Sequence, residues 1–390
     1  MSQICLHNAA LLAGYARMEQ CAVLVEDGRI LDVFSEKRFA QKNLPSDTLI
    51  LDVDGAFLAP GFIDTHIHGF AGFGTEDMSV DAIVAMSDRL GSYGVSAFCP
   101  TIYPMAPDDM VRSIASCVDA MGKETGARVM GVHLEGPFLS MARLGVQQSE
   151  YVRQVDIDVM DRLFRAGRGH ITNMTVAPEL KGMRELALYC LSRNIVLQAG
   201  HTDASYENMM EGMQAGIMHS THFFNAMSRL HHRDPGAVGA ILINPELSCE
   251  IIADGKHVHP DLIRLLLRDK PQSKVVLVTD ALKPTEQERY PLIANRQEVV
   301  LEDGVFHRKS DGVLAGSCLT MIAGVKNLAS WGVPIEAAVE MAASNPARIV
   351  GLGKRGLIVP GYEADLVVFD NDFSVLATMV GGRFIKNELG

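Results

Sequence analysis

Short apolar runs in this chain finish on groups that can hold a metal ion or move a proton. The ends are Asp64-Thr65-His66-Ile67-His68, His133-Leu134-Glu135, Ala199-Gly200-His201, Thr221-His222 and Thr279-Asp280. In extended chain, residues two apart project to the same side, so His66 and His68 offer both imidazoles to one ligand. Imidazole nitrogens with carboxylate oxygens and no thiolate suit zinc, iron, cobalt or manganese with an open coordination position. Each group also has an ordinary structural role open to it. His66 and His68 can be core or surface polarity, Glu135 can cap a loop, His201 can cap the following helix, and Asp280 can be an N-cap. Their joint placement argues for a metal site, because polar groups are costly to bury unpaired at one strand end after another.

A second set suits a substrate. Asn225-Ala226-Met227 closely follows His222, the loop from Leu230 to Gly236 carries His231, His232 and Arg233, and His257 follows Asp254-Gly255. Arginine and histidine near a site suit a phosphate or carboxylate. The alternative is a solvated loop whose charges pair with Asp234. His170, His219, His259 and His307 read as structural or surface residues, and Cys99 and Cys318 as packing. The chain carries neither a G-x-S-x-G elbow nor a G-x-x-x-x-G-K-[ST] phosphate loop.

These residues need elements to hold them. Apolar runs suited to buried parallel strands lie at 57–66, 95–101, 128–134, 171–177, 195–199, 218–222, 249–253 and 274–279, with helical patterns between them at 79–90, 108–121, 180–191 and 205–215. That alternation predicts an α/β fold, a (β/α)8 TIM-like barrel, in which function sits at the C-terminal strand ends. An open doubly wound sheet is the rival, but no G-x-G-x-x-G turn follows the first strand. Both ends of the chain read as short strands and turns, at 22–25, 30–34, 49–53, 364–369 and 378–385.

The 390 residues include 48% hydrophobic and 21% charged residues, within the globular range, and the net charge of −12 argues against nucleic acid or an anionic membrane as the main partner. Seven scattered cysteines without a C-x-x-C pair point to a reducing compartment. His7 and Asn8 interrupt the first apolar stretch, and no run reaches the roughly 20 residues a spanning helix needs, so a cytoplasmic protein is expected. The twenty methionines read as core filler.

The segment from Leu58 through Pro60-Gly61-Phe62-Ile63-Asp64-Thr65-His66-Ile67-His68 resembles the opening signature of the amidohydrolase superfamily. The tail from Gly361 through Ala364-Asp365-Leu366-Val367-Val368-Phe369-Asp370 resembles its closing one. Within that superfamily, His133-Leu134-Glu135-Gly136-Pro137-Phe138, Thr221-His222-Phe223-Phe224-Asn225-Ala226-Met227, Ala253-Asp254-Gly255-Lys256-His257 and Leu314-Ala315-Gly316-Ser317 resemble the N-acetylglucosamine-6-phosphate deacetylase family over nearly the whole chain.

The resemblance implies a small composite β-sandwich domain from residues 1–55 and 356–390, beside a metal-dependent barrel over 56–355. It implies that Glu135, His201 and His222 bind the principal divalent metal, with His66 and His68 holding a second. Zinc is the expected ion, with iron, cobalt or manganese as alternatives. Asp280, also placed among the metal ligands, would be the catalytic general base and then the acid. Arg233 and His257 would hold the sugar phosphate, with Asn225, Ala226 and Leu314 lining the sugar. Arg233 would reach a neighbouring subunit's site, which implies a homodimer. Where relatives carry a Gly-x-His in the loop after Glu-Gly-Pro, this chain reads Gly145-Val146-Gln147, so Gln147 takes the place of a histidine expected to polarise the acyl carbonyl.

The implied reaction is hydrolysis of N-acetyl-D-glucosamine 6-phosphate to D-glucosamine 6-phosphate and acetate. Another N-acyl sugar phosphate such as the galactosamine epimer is the alternative, or an N-acyl amino acid or cyclic amide. A non-enzymatic scaffold that kept the fold is the remaining reading, but such a protein is expected to lose the ligand residues that this chain retains.

Overall fold

The computed structural model describes residues 3–14, 16–287 and 289–389. Eight parallel strands form the barrel: β1 (Phe62–Ile67), β2 (Val95–Ile102), β3 (Val132–Glu135), β4 (Ile171–Val176), β5 (Val196–Ala199), β6 (His219–Ser220), β7 (Cys249–Ile252) and β8 (Val275–Val278). Ladders join β1 through β6 in order and β7 to β8. The ring closes through a few backbone bonds, among them Phe223 N to Glu250 O at 2.9 Å between β6 and β7, and Asp280 N to His66 O at 2.8 Å between β8 and β1. The latter closure lies at the C-terminal ends, so it ties two chemistry-bearing strand ends directly together.

The barrel strands are buried along their whole length except for single positions in β4 and β5, as expected when helices cover the outside. The helices keep to their sequence signals. Ser205 caps Tyr206–Gln214 by accepting from Asn208 N at 3.2 Å, while Asn208 Oδ1 accepts from Ser205 N at 3.2 Å. The helical pattern over 180–191 starts late, at Met183, because Gly182 stands at the N-cap with φ of 87°.

Gly61 divides the predicted first strand. Phe57–Pro60 leaves the barrel and pairs antiparallel with Leu366–Phe369 and parallel with Ile4–Leu12, while β1 starts at Phe62. A Cβ on Gly61 would stand 2.4 Å from Ser96 Cβ, so only glycine lets the chain cross from one sheet to the other so close to β2. Strands from both chain ends build one sheet of eight, in which residues from both halves, Leu6, Val23, Ile30, Leu58, Val368 and Met379 among them, share a single core. The sheet therefore coils around its own interior. The tail reading of one strand over 378–385 becomes a hairpin, Val375–Val380 and Arg383–Asn387, turning at Gly381-Gly382.

A three-stranded antiparallel sheet, Leu292–Ala294, Gln297–Glu302 and Val305–Arg308, was not expected. Its core, Leu292, Ala294, Val299 and Phe306, packs with Tyr103, Leu282 and Ala315 beside the barrel mouth. Among the described residues, no helix is long and apolar enough to cross a membrane.

Candidate metal and catalytic site

The C-terminal strand ends bring six of the sequence-predicted residues together in two buried groups, His66 with His68 and Asp280, and Glu135 with His201 and His222. His201, His222 and Asp280 hold positive φ values of 46°, 25° and 50°. Non-glycine residues in such conformations cost of order 1–3 kcal/mol each, and persist where the surroundings over-determine them.

Glu135 joins the two groups. Its Oε1 lies 3.1 Å from Nε2 of both His201 and His222 and 3.5 Å from His66 Nε2, and its Oε2 lies 3.3 Å from His68 Nε2. Asp280 Oδ1 lies 3.4 Å from Nε2 of both His66 and His68. The far sides of three rings are held. His201 Nδ1 meets Arg143 O at 3.0 Å, His68 Nδ1 meets Thr101 O at 3.1 Å, and His66 Nδ1 meets Glu250 Oε2 at 2.9 Å. A carbonyl or carboxylate only accepts, so each Nδ1 carries the proton and each Nε2 of the neutral ring turns a lone pair inward.

Such an arrangement calls for a cation. Buried His66 Nε2 has no hydrogen-bond partner, and the Nε2 atoms of His201 and His222 approach to 3.1 Å. Burial alone would push His66 down, but the Asp280, Glu250 and Glu135 carboxylates outweigh it and raise it to about 10, so they demand a positive charge here, met by a proton on the ring or by an ion that the neutral ring's Nε2 would hold. Burial would raise Glu135, yet His201, His222 and His68 hold it well below the usual carboxylate range. Asp280 is likewise lowered against burial by His66 and His68, so it is an ionised acceptor at neutral pH. The donor set, imidazole and carboxylate without thiolate, fits a divalent ion in either group.

Above these groups opens a cavity of about 230 Å3, whose lining includes Gln147, Asn225, Ala226, His257, Asp280 and Leu314. His257 is aimed by Asp254, whose Oδ2 lies 2.6 Å from Nδ1 and whose Oδ1 accepts from the His257 backbone N at 2.8 Å. Arg233 stands apart from the cavity. It is exposed, and its Nη1 lies 3.0 Å from His232 Nε2. Gln147 Nε2 donates to Glu135 Oε2 at 2.6 Å.

Two residues escaped sequence reasoning. Glu250 is wholly buried in β7 and accepts from Gln198 Nε2 at 3.0 Å and from His222 N at 3.1 Å, besides meeting His66. Burial would raise it, but His66, His219 and His133 bring it down to about 2. Its signal was a carboxylate inside the apolar run Cys249–Ile252. Tyr103 stacks on His68 with centroids 3.7 Å apart and an interplanar angle of 6°. His219, read as structural, lies inside the barrel with Nδ1 2.8 Å from Ser248 Oγ.

Residues 57–385 match the amidohydrolase family. The chain belongs to the amidohydrolase family. This amidohydrolase is 32% identical over 382 residues to the N-acetylglucosamine-6-phosphate deacetylase of Lysinibacillus sphaericus, covering 97% of this chain and 96% of the relative. It is 31% identical to the N-acetylgalactosamine-6-phosphate deacetylase of Escherichia coli O157:H7, covering 87% of this chain and 90% of that one. Among solved structures, N-acetylglucosamine-6-phosphate deacetylase from Pasteurella multocida superposes with a TM-score of 0.91 at 28% identity, over 99% of this amidohydrolase and 100% of that chain.

Proposed function

We propose that this amidohydrolase removes the N-acetyl group of an amino-sugar 6-phosphate, with N-acetyl-D-glucosamine 6-phosphate giving D-glucosamine 6-phosphate and acetate. The observation that carries this reading is Glu135 set between two pairs of histidines, with ionised Asp280 beside one pair, on the wall of a cavity that His257 and Asn225 also line. Near-full-length similarity to deacetylases of that substrate supports it.

Glu135, His201 and His222 would hold one divalent ion, and His66, His68 and Asp280 a second, zinc being the ion this donor set favours first. When bound, a divalent ion supplies Lewis acidity toward the amide carbonyl and makes water acidic enough to attack near neutral pH. Asp280 accepts a proton from the attacking water and returns it to the nitrogen as the C–N bond breaks. His257, Asn225 and Ala226 orient the phosphorylated sugar, and Leu314 packs over it. Arg233, exposed in the single chain, would complete the phosphate site of a second subunit in a homodimer. The chain would divide into a terminal-strand domain and the barrel, and the pairing of Phe57–Pro60 favours the crossing at Gly61 over one at residue 55. A cytoplasmic location accords with seven free cysteines.

The test is acetate release by zinc-loaded protein from N-acetylglucosamine 6-phosphate and its galacto epimer. A kcat/KM above about 10⁴ M⁻¹s⁻¹ on the gluco substrate supports the reading. A value far lower than on the galacto epimer reassigns the sugar, and no turnover of either overturns the class.

A further inference from the structure

The side-chain amide of Gln147 is held at one end and open at the other. Its Nε2 donates to Glu135 Oε2 at 2.6 Å, and because a carboxylate oxygen only accepts, that bond decides which end of the amide is which. Gln147 Oε1 is therefore a buried acceptor, without a hydrogen-bond partner among the described residues, on a side chain that lines the cavity. One Nε2 hydrogen is engaged by Glu135, and the polar atom of the amide that stands without a partner is the acceptor Oε1.

Both oxygens of Glu135 approach the group that holds Asp280. Oε1 lies 3.1 Å from Nε2 of His201 and His222 and 3.5 Å from His66 Nε2, while Oε2 lies 3.3 Å from His68 Nε2, and both His66 and His68 stand 3.4 Å from Asp280 Oδ1. Gln147 binds Oε2, the oxygen beside His68, and it lines the same cavity as Asp280, the group from which the leaving nitrogen would take its proton. An acceptor cannot pair with the acyl carbonyl oxygen. Within the scissile bond itself, the donor is the amide N–H.

We propose that Gln147 Oε1 accepts a hydrogen bond from the N–H of the scissile amide and keeps it as that nitrogen becomes the leaving amine. The proposal rests on the deacetylase reading above. In the hydrolysis, the water oxygen bonds to the carbonyl carbon, one water proton passes through Asp280 to the nitrogen, and the C–N electron pair leaves with the amine. As the nitrogen gains that proton its N–H becomes a stronger donor, so the contact tightens toward the transition state and acts on kcat more than on KM. It also selects secondary amides over esters of the same acyl group, since an ester oxygen brings no donor.

The experiment compares wild type with Gln147→Met on N-acetylglucosamine 6-phosphate and on its ester counterpart, 2-O-acetyl-D-glucose 6-phosphate. Bound metal is measured by elemental analysis and folding by circular dichroism. Losing the Nε2 bond to Glu135 affects both substrates alike, so the amide-to-ester ratio of kcat isolates Oε1. The ratio is expected to fall about tenfold or more, the scale of a hydrogen bond to a charge-developing group, with metal content unchanged. Gln147→Asn keeps the polarity but withdraws the acceptor by one methylene, and the same direction of change is expected should the methionine variant not fold. An unchanged ratio in the folded variants overturns the assignment alone. A wild-type protein that hydrolyses neither substrate overturns the deacetylase reading, and this assignment with it.

Discussion

Glu250 Oε2 lies 2.9 Å from His66 Nδ1, and the same oxygen accepts from His222 N at 3.1 Å. One buried carboxylate thus orients a residue from each of the two candidate ligand groups. It sits on β7 in a network with Gln198, which reaches His133 and Thr221 in turn. Partners that fix a ligand's tautomer and angle typically affect metal affinity or activity by about 10–100-fold. Glu250→Gln should therefore release metal to a chelator at correspondingly lower chelator concentration, with the helical signal in circular dichroism retained. Wild-type retention of metal in that variant would remove Glu250 from the role.

The proposed proton transfer makes its most specific demand on Asp280. Asp280→Asn should lower kcat by about 10²–10⁴-fold, the range of a general acid–base group. The Glu135, His201 and His222 group is untouched by the change, so at least one metal per subunit should remain by elemental analysis. An active variant would exclude Asp280 as the proton carrier.

Arg233 offers a test of assembly as well as of binding. It is exposed in the single chain, and its side chain bonds only to His232 among the described residues. Arg233→Ala should raise KM for the phosphorylated substrate and leave kcat nearly unchanged. Mixing Arg233→Ala with Asp280→Asn subunits should recover normal KM in hybrids, because one subunit then holds an intact Asp280 and receives an intact arginine. Mixtures that show no recovery would place Arg233 in its own subunit's site or outside any site.

Glu76 predicts a pH-dependent stability. It anchors the unexpected three-stranded sheet by accepting from Asn295 N at 2.5 Å, and burial raises its pKa to about 7. The unfolded chain titrates near about 4.3, so between these values the folded state binds a proton that the unfolded state lacks. Stability contributed by this group is fully present below the unfolded value and is lost as pH rises toward 7. Glu76→Gln, which cannot ionise, should match wild type in acid and become progressively more stable than it up to neutral pH in urea unfolding. A stability difference that does not vary with pH would show that Glu76 titrates normally.

Gly61 carries the crossing between the terminal sheet and the barrel. Gly61→Ala places a methyl against Ser96, and overpacking of this kind typically costs about 1–3 kcal/mol. A lowered thermal midpoint with the metal content of folded protein unchanged is the expected result.

Much of the barrel was legible because parallel strands covered on both faces read as unbroken apolar runs, and because helix caps such as Ser205 are local chemistry. The three-stranded sheet went unread although Asp303-Gly304, with φ values of 49° and 78° between Glu302 and Val305, is a strong hairpin signal. The predicted first strand runs too long because only Pro60-Gly61 marks the change of sheet within 57–66, and that pair says nothing about the neighbour that demands the glycine.

The chain order alone singled out His66, His68, Glu135, His201, His222 and Asp280 as candidates, since charged groups ending apolar runs are visible wherever burial would otherwise forbid them. Only the tertiary structure decided that Glu135 stands between the histidine pairs, that Glu250 aims His66 from a different strand, and that Gln147 presents an acceptor to the cavity. Those are relations between atoms on strands and loops distant in sequence, set by barrel closure, and no local pattern encodes a distance across the barrel mouth.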